Sequence, residues 1–177
     1  MRTITRPAAG EYAPYVEQYL KLVPPDTSIL DHLKKQAEST REFILSLPPE
    51  RLTYRYAKGK WTIKEILIHV IDTERVFAYR ALRFARNDQQ NLAGFEQDDY
   101  VAASGVNERD VNSILDEYTS MRAATLSLFE SLPEESLVRA GKANGSTLSV
   151  RAAVWDIAGH ELHHLNIIKE RYLGETA

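Results

Sequence analysis

Residues 149–174 constrain the fold of this chain more than any other part of the sequence. They read SVRAAVWDIAGHELHHLNIIKERYLG, with apolar positions recurring at the three- and four-residue spacing of a helix packed in a bundle. The inward stripe consists of Val150, Ala153, Ile157, His160, His164, Ile167 and Arg171. Such positions normally hold aliphatic side chains, so two imidazoles one turn apart need an explanation. Side chains four residues apart lie one above the other, which lets both rings converge on one point.

Three other long stretches carry the same helical period. We predict helices over residues 26–47, 63–86 and 108–132, with a short helix over residues 11–23 before them. Thr62 and Glu65 form a capping box at the start of the second long helix. Prolines, which stop a helix, directly follow the other three stretches: Pro24, Pro48 and Pro133.

The connections between these helices indicate how they are joined. Residues 87–106 have no sustained periodicity and predict a crossover between helix pairs. The segment KANGSTLS before the last helix is predicted as a polar connection, since strand signals are nearly absent. The sequence therefore predicts one all-α domain over residues 1–177, a four-helix bundle with a long crossover between helix pairs. Residues 1–25 would form an N-terminal arm and short helix.

Composition excludes several classes of function. The 177 residues fit one domain, and a net charge of −3 does not indicate a nucleic-acid partner. The chain has no cysteine, which excludes disulfides, cysteine-type zinc sites and a thiol nucleophile of its own. No apolar run approaches the length that spans a membrane, and the first residues lack an apolar signal core. We therefore expect a cytoplasmic protein without a membrane partner.

A third histidine occupies the inward stripe of another predicted helix. His69 lies in the third turn of residues 63–86, whereas His32 lies off its stripe and is expected to contact solvent. Three buried neutral imidazoles would each need a partner, and an unmet one costs about 1–3 kcal/mol. A shared divalent metal binds one nitrogen of each ring. The sequence thus favours a metal site of His69, His160 and His164 over core histidines with separate partners.

The letters HELHH at residues 160–164 also match the H-E-x-x-H pattern of metallopeptidases, in which Glu161 would be the general base. Those enzymes take their third metal ligand from a segment downstream of the motif. Here the remaining residues lie on the same helix or in the short tail and cannot wrap round to the site. A peptidase is therefore disfavoured, and Glu161 is either a base near the metal or a solvated residue beside the stripe.

Four further residues are candidates near this site. His163 is adjacent to the stripe and is a candidate participant around the metal. Asp72 is a candidate hydrogen-bond acceptor for a ligand imidazole, or else part of a surface ion pair. Arg80 and Arg83 continue the stripe of the second long helix, where they would either face an anionic substrate at a pocket mouth or extend into solvent.

Several of these motifs together resemble a known family. The helix KWTIKEILIHVIDTERVF, the loop GFEQDDYV and the helix VWDIAGHELHHLNIIKERYL are similar in order and spacing to the DinB/YfiT-like superfamily, over about residues 26–173. The resemblance implies a four-helix bundle with a crossover. It also implies a metal triad of one histidine in the second helix and an H-x-x-x-H pair in the fourth. These positions are His69, His160 and His164.

The resemblance also implies what the site would do. Relatives include transferases and isomerases that use low-molecular-weight thiols, and others described as metal-dependent hydrolases. Nickel or zinc is the ion expected, and a homodimer is the expected assembly. Three histidines leave a coordination place open, as in catalytic sites. We therefore expect transfer of a small thiol to a small-molecule electrophile, with metal-assisted hydrolysis, helped by Glu161 or His163, as the alternative. A non-catalytic module that binds a metal or small molecule is the third hypothesis.

Overall fold

The structure is a computed structural model that describes residues 3–174. Over this range the chain forms six α-helices and one β-hairpin. In chain order they are α1 (Glu17–Leu20), α2 (Ile29–Ser46), α3 (Ile63–Ala85), α4 (Gln97–Ala103), α5 (Val111–Ser131), β1 (Ala140–Ala143), β2 (Ser146–Ser149) and α6 (Val150–Ile167). A π-helical turn over Ile168–Leu173 extends α6. The four long helices α2, α3, α5 and α6 confirm the predicted all-α four-helix bundle.

The starts of the long helices follow from side-chain caps. Thr62 and Glu65 form the predicted capping box on α3. Ser149 accepts a hydrogen bond from the Ala152 amide at the start of α6. The helix predicted over residues 108–132 begins at Val111, where the Asp110 side chain accepts from the Asn112 amide. Asn107, which precedes this start, binds the capping box of α3 and donates to Glu65 at 2.9 Å.

Two connections contain structure that the sequence analysis did not predict. The crossover of residues 87–106 includes α4, and its Leu92 pairs with Ala143 of the hairpin. The supposed polar connection KANGSTLS is mostly an antiparallel hairpin of β1 and β2. Its turn residues Asn144 and Gly145 have φ of 50° and 74°. An Asn-Gly pair with both φ positive is the preferred two-residue hairpin turn. The prediction of an irregular connection was therefore wrong because it overlooked this turn signal.

The packing order of the bundle differs from the order along the chain. Helix α2 packs against α5 and α6, and α3 packs against the same two helices. Around the bundle the helices therefore follow the order α2, α5, α3, α6, which places the consecutive long helices α2 and α3 diagonally opposite each other. The crossover of residues 87–106 is the connection that carries the chain from α3 to α5.

The core consists of two apolar clusters, one toward each end of the bundle. One cluster contains Leu30, Phe84, Phe129 and Val154, and the other contains Ile44, Ile66, Ile114 and Ile168. A layer of buried polar side chains lies on the same four helices between these clusters. Besides the three histidines it includes Gln36, Thr40, Thr73, Glu74, Arg122 and Glu161. A core interrupted by polar groups is costly unless those groups bind one another or a ligand.

The N-terminal arm is attached along α6. Residues 11–23 form a 3₁₀ turn (Pro14–Val16) and α1 rather than one continuous helix. Trp155 donates to the carbonyl of Ile4 at 3.2 Å. Gly159 of α6 permits close approach of α1, because a Cβ there would lie 2.3 Å from the Tyr19 carbonyl oxygen. Within residues 3–174, no helix is long and apolar enough to cross a membrane.

Candidate metal centre

Three imidazoles from two helices meet in the polar layer. His69 comes from α3, and His160 and His164 come from successive turns of α6, one above the other. The His160 Nε2 lies 3.0 Å from the His69 Nε2 and 3.2 Å from the His164 Nε2. One nitrogen from each ring lies within 4.8 Å of the other two. We call these residues the histidine triad.

Burial keeps the triad in its neutral form. Desolvation lowers the pKa of His69 to about 4 and that of His164 to about 3. Desolvation, together with the neighbouring His164 and His69, also lowers the pKa of His160 well below its ordinary value. Neutral imidazole is the form that binds a metal ion. The triad therefore presents metal-binding nitrogens without first losing protons at neutral pH.

The arrangement of these nitrogens fits a shared cation better than mutual hydrogen bonds. An imidazole nitrogen has a single in-plane bonding direction, so the His160 Nε2 cannot bond well to both neighbours at once. Two nitrogens each about 2.0–2.1 Å from one ion lie about 3 Å apart, which is the separation seen here. The donor set of three imidazoles suits zinc or nickel.

Aromatic rings enclose the triad on two sides. The Trp61 ring lies 4.7 Å from the His69 ring, and the Tyr19 ring lies 5.4 Å from that of His160. Tyr19 also contacts the ring of His163 at 5.2 Å. The imidazoles of the triad therefore pack against aromatic rings on two sides.

A cavity of about 320 Å³ leads to the triad from one side, which we call the triad cavity. His69 and His160 line its inner end, and α1, α4 and the hairpin contribute the remaining walls. Arg80 and Asp156 also line this cavity and are only 6 % and 2 % exposed. The Arg80 guanidinium donates to the carbonyl of Ala93 at 3.1 Å. The sequence analysis predicted Arg80 as a candidate site residue but missed Asp156. The isolated aspartate in the apolar run AAVWDIAG could have indicated a buried functional carboxyl group.

A second cavity of about 290 Å³ opens on the other side of the triad, and we call it the Tyr172 cavity. His164 lines it together with Trp61, Tyr56 and Tyr172. Asp98 of α4 lines both cavities. The triad is thus accessible from two directions, because His69 and His160 face one cavity and His164 faces the other.

Glu161 lies in a buried ion network rather than on a cavity wall. Its Oε1 accepts from Thr40 and Tyr118, each at 2.6 Å, and its Oε2 accepts from Arg122. Arg122 is 1 % exposed and also binds Glu74 at 2.7 Å. Burial alone would lower the pKa of Arg122, but Glu161 and Glu74 raise it well above its ordinary value. We call Glu74, Arg122 and Glu161 the buried ion network.

The other candidates from the sequence lie around the site at different depths. His163 is half-buried between Tyr19 and His164. Arg83 bonds to Asp88 and Tyr79 and does not line the triad cavity. Asp72 pairs with Arg75 at 3.5 Å. The prediction that His32 contacts solvent is only partly right, because that residue is half-buried and its Nε2 is buried without a hydrogen-bond partner among the described residues.

Comparisons with known proteins agree with the fold. A protein of Oceanobacillus iheyensis named "putative metal-dependent hydrolase" is 29 % identical over 131 residues, covering 72 % of this chain and 74 % of that protein. YfiT from Bacillus subtilis, described as "a probable metal-dependent hydrolase with an unusual four-helix bundle topology", superposes with a TM-score of 0.68 at 13 % identity, over 97 % of this chain and 94 % of that one. A DinB-like protein of Bacillus subtilis superposes with a TM-score of 0.58 at 20 % identity, over 85 % and 94 % of the two chains. The DinB superfamily model matches residues 32–168, which include the whole triad. This chain therefore belongs to the DinB superfamily.

Proposed function

We propose that this protein is a divalent-metal-dependent enzyme that transfers a small thiol to a small electrophilic substrate. The observation that carries the proposal is the location of the triad at the junction of two cavities. A purely structural metal site is closed on all sides by its ligands, whereas a catalytic site keeps access to a free coordination position. Two separate approaches suit a reaction with two substrates.

The chemistry is a substitution or addition at carbon. In a substitution, the thiol sulfur forms a bond to the electrophilic carbon, the bond to the leaving group breaks with its electron pair, and the thiol proton passes to solvent. A divalent ion bound by the triad, nickel or zinc, would lower the pKa of a thiol or water and so supply a nucleophile at neutral pH. The protein residues hold the ion, orient the two substrates and restrict water.

The surrounding side chains support this division of tasks. Arg80 offers a buried cation to an anionic group of a substrate in the triad cavity. Trp61 and Tyr172 offer an aromatic wall in the Tyr172 cavity. We propose that Glu161 is a positioning residue, because both of its oxygens already accept hydrogen bonds. Proton transfer by His163 and substrate binding by Arg83 stay predictions.

Metal-dependent hydrolysis is the second candidate. It is supported by the descriptions of two similar proteins as metal-dependent hydrolases, one of which is 29 % identical to this chain in the aligned region. Water needs only a small part of either cavity, so hydrolysis would leave the second cavity without a reactant. A non-catalytic binding module is the third possibility. It is disfavoured because two cavities open onto the triad, which suits a reaction with two substrates better than the binding of a single ligand.

The metal site is tested first by elemental analysis of protein purified without a nickel-chelate column. We expect about one divalent ion per chain, and its loss in His69→Ala and His164→Ala. His32→Ala is the matched control and should keep its metal, because His32 lies outside the triad. Metal-free protein that cannot be reloaded with zinc or nickel would refute the proposed function.

The two reactions are distinguished with the metal-loaded protein. A small thiol and 1-chloro-2,4-dinitrobenzene report transfer, and a panel of nitrophenyl esters without thiol reports hydrolysis. Transfer above the uncatalysed rate, lost in His164→Ala, supports the first candidate. Ester cleavage that is independent of thiol supports the second. A homodimer and a cytoplasmic location are further predictions, to be checked by sedimentation and by cell fractionation.

A further inference from the structure

A carboxyl group, that of Asp156, and the guanidinium of Arg80 are buried in the triad cavity, and they do not form an ion pair with each other. The Asp156 Oδ2 has no hydrogen-bond partner within residues 3–174, and Thr73 Oγ1, on the same cavity wall, has none either. Arg80 donates to a backbone carbonyl, and no ion pair of the described residues joins it to Asp156. Leaving buried polar groups unmet is costly, so these groups indicate a ligand that satisfies them.

The position of this pair suggests how a ligand would lie. Asp156 precedes His160 by four residues on α6, so its carboxylate is one turn further along the same face. Arg80 reaches the cavity from the last third of α3, past the Phe77 ring, which lies 5.2 Å from its guanidinium carbon. A ligand with its reacting group at the triad would therefore place its far end between Asp156 and Arg80.

The charges select the chemistry of that far end. A ligand with only a carboxylate would bind Arg80 but leave Asp156 without a partner, and a ligand with only an ammonium would do the reverse. A ligand that carries both groups satisfies both side chains. We propose that the triad cavity binds the α-ammonium and α-carboxylate of an amino-acid-type substrate, with Asp156 accepting from the ammonium and Arg80 donating to the carboxylate.

The electrostatics of the triad cavity agree with this assignment. Burial raises the pKa of Asp156 to about 8, although Arg80 lowers it in part. Burial likewise lowers the pKa of Arg80, against the opposing effects of Tyr15 and Asp156. Each group is therefore held in an environment that disfavours its charged form. A zwitterion would supply each with a counter-charge.

The inference rests on the proposed function in that it takes the triad cavity as the substrate site. Its test uses metal-free protein, so that chelation of a metal by the probe cannot contribute. The probes are L-methionine, 3-(methylthio)propylamine, which lacks the carboxylate, and 4-(methylthio)butanoate, which lacks the ammonium. Dissociation constants are measured by isothermal titration calorimetry. We expect L-methionine to bind at least about tenfold more tightly than either single-charge probe.

Variants assign the selectivity to the two side chains. Asp156→Asn should remove the preference for L-methionine over the acid, and Arg80→Met should remove its preference over the amine. Asp72→Asn and Arg75→Met, whose side chains pair outside the triad cavity, are matched controls and should bind as the unaltered protein does. Circular dichroism confirms that each variant is folded.

Two results would overturn the inference. The first is equal binding of the three probes, or no binding of any. The second is an Asp156→Asn variant that keeps full selectivity but loses metal affinity, which would assign Asp156 to orienting His160 instead. The separate metal analysis distinguishes these failures from failure of the proposed function, because a protein with metal but without zwitterion selectivity loses only this inference.

Discussion

His160 shows how much of this site depends on single positions along one helix. Asp156 lies one turn before it and His164 one turn after it, and Gly159 lets Tyr19 cover its ring. The chemistry of the site therefore comes from spacing on α6 as much as from residue type.

Gly159 provides a direct test of that close packing. Gly159→Ala should favour the helix by about 1 kcal/mol through backbone entropy. The added Cβ would lie 2.3 Å from the Tyr19 carbonyl oxygen, so α1 must move away. Overpacking of this kind costs about 1–3 kcal/mol, and we expect a net loss of stability in urea denaturation. A variant as stable as the unaltered protein would show that α1 is not held against α6.

Glu161 allows its two proposed roles to be separated. Glu161→Gln keeps the shape and one oxygen for Thr40 and Tyr118 but removes the charge. If Glu161 only positions α6, the metal-loaded variant should keep kcat within about tenfold, since the hydrogen bonds from Thr40 and Tyr118 are retained although the one from Arg122 is lost. Loss of a general base would instead lower kcat by about 10²–10⁴-fold. Steady-state rates normalised to bound metal distinguish the two roles.

At the scale of secondary-structure elements, the N-terminal arm is fastened to the start of α6. Glu11 accepts from Arg151 Nε and from Ser149 Oγ, at 2.7 and 2.8 Å. The Arg151 hydrogen bond holds the pKa of Glu11 at about 2, against an ordinary value of 4.5. The arm that carries Tyr15 and Tyr19 to the triad cavity is thus attached by an ion pair next to the α6 cap.

This ion pair predicts a defined dependence of stability on pH. Because the pKa of Glu11 is lower in the folded chain than in the unfolded one, its stabilisation is complete above pH 4.5 and is lost as the pH falls toward 2. The pair contacts solvent, so we expect only about 1 kcal/mol. Urea denaturation of Glu11→Gln and the unaltered protein should differ at pH 6 and converge near pH 2. A difference that does not shrink would contradict this account.

The elements also show how far sequence reasoning extends. The long helices were predictable because caps and apolar stripes are local signals, and the triad because its spacing is helical. The hairpin was missed although Asn144-Gly145 is a strong local signal. The role of Arg122 could not be predicted from the sequence, because its partners lie on three other helices and no local sequence pattern indicates how those helices pack.

At the scale of the whole molecule, the polar layer divides the core into two apolar halves. Arg122 lies in this layer and binds carboxylates from α3 and α6 and the carbonyl of Leu33 on α2. One side chain of α5 thus contacts all three other long helices. Because hydrogen bonds are directional, these bonds determine the positions of the helices along the bundle axis more strictly than apolar contacts would.

Removal of the Arg122 guanidinium should therefore destabilise the bundle strongly. Arg122→Met leaves Glu74 and Glu161 buried without a cation, and we expect a loss of about 3–5 kcal/mol in chemical denaturation. Arg75→Met is the matched control, because Arg75 forms ion pairs at the surface with 48 % of its side chain exposed, and should lose at most about 1 kcal/mol. Equal losses in both variants would contradict the role given to the buried ion network.

The diagonal placement of α2 and α3 has a consequence for the order in which the protein assembles. His160 and His164 come together as soon as α6 forms, but His69 is 91 residues distant from His160 in the chain. Closing that loop is slow compared with helix formation, and topologies rich in distant contacts fold more slowly than simple up-and-down bundles. During folding, His160 and His164 would therefore be available to a metal ion before His69 reaches the site. The rate at which full metal affinity appears should therefore report the rate of the last folding step. Stopped-flow refolding in the presence of a colorimetric metal indicator can measure this rate.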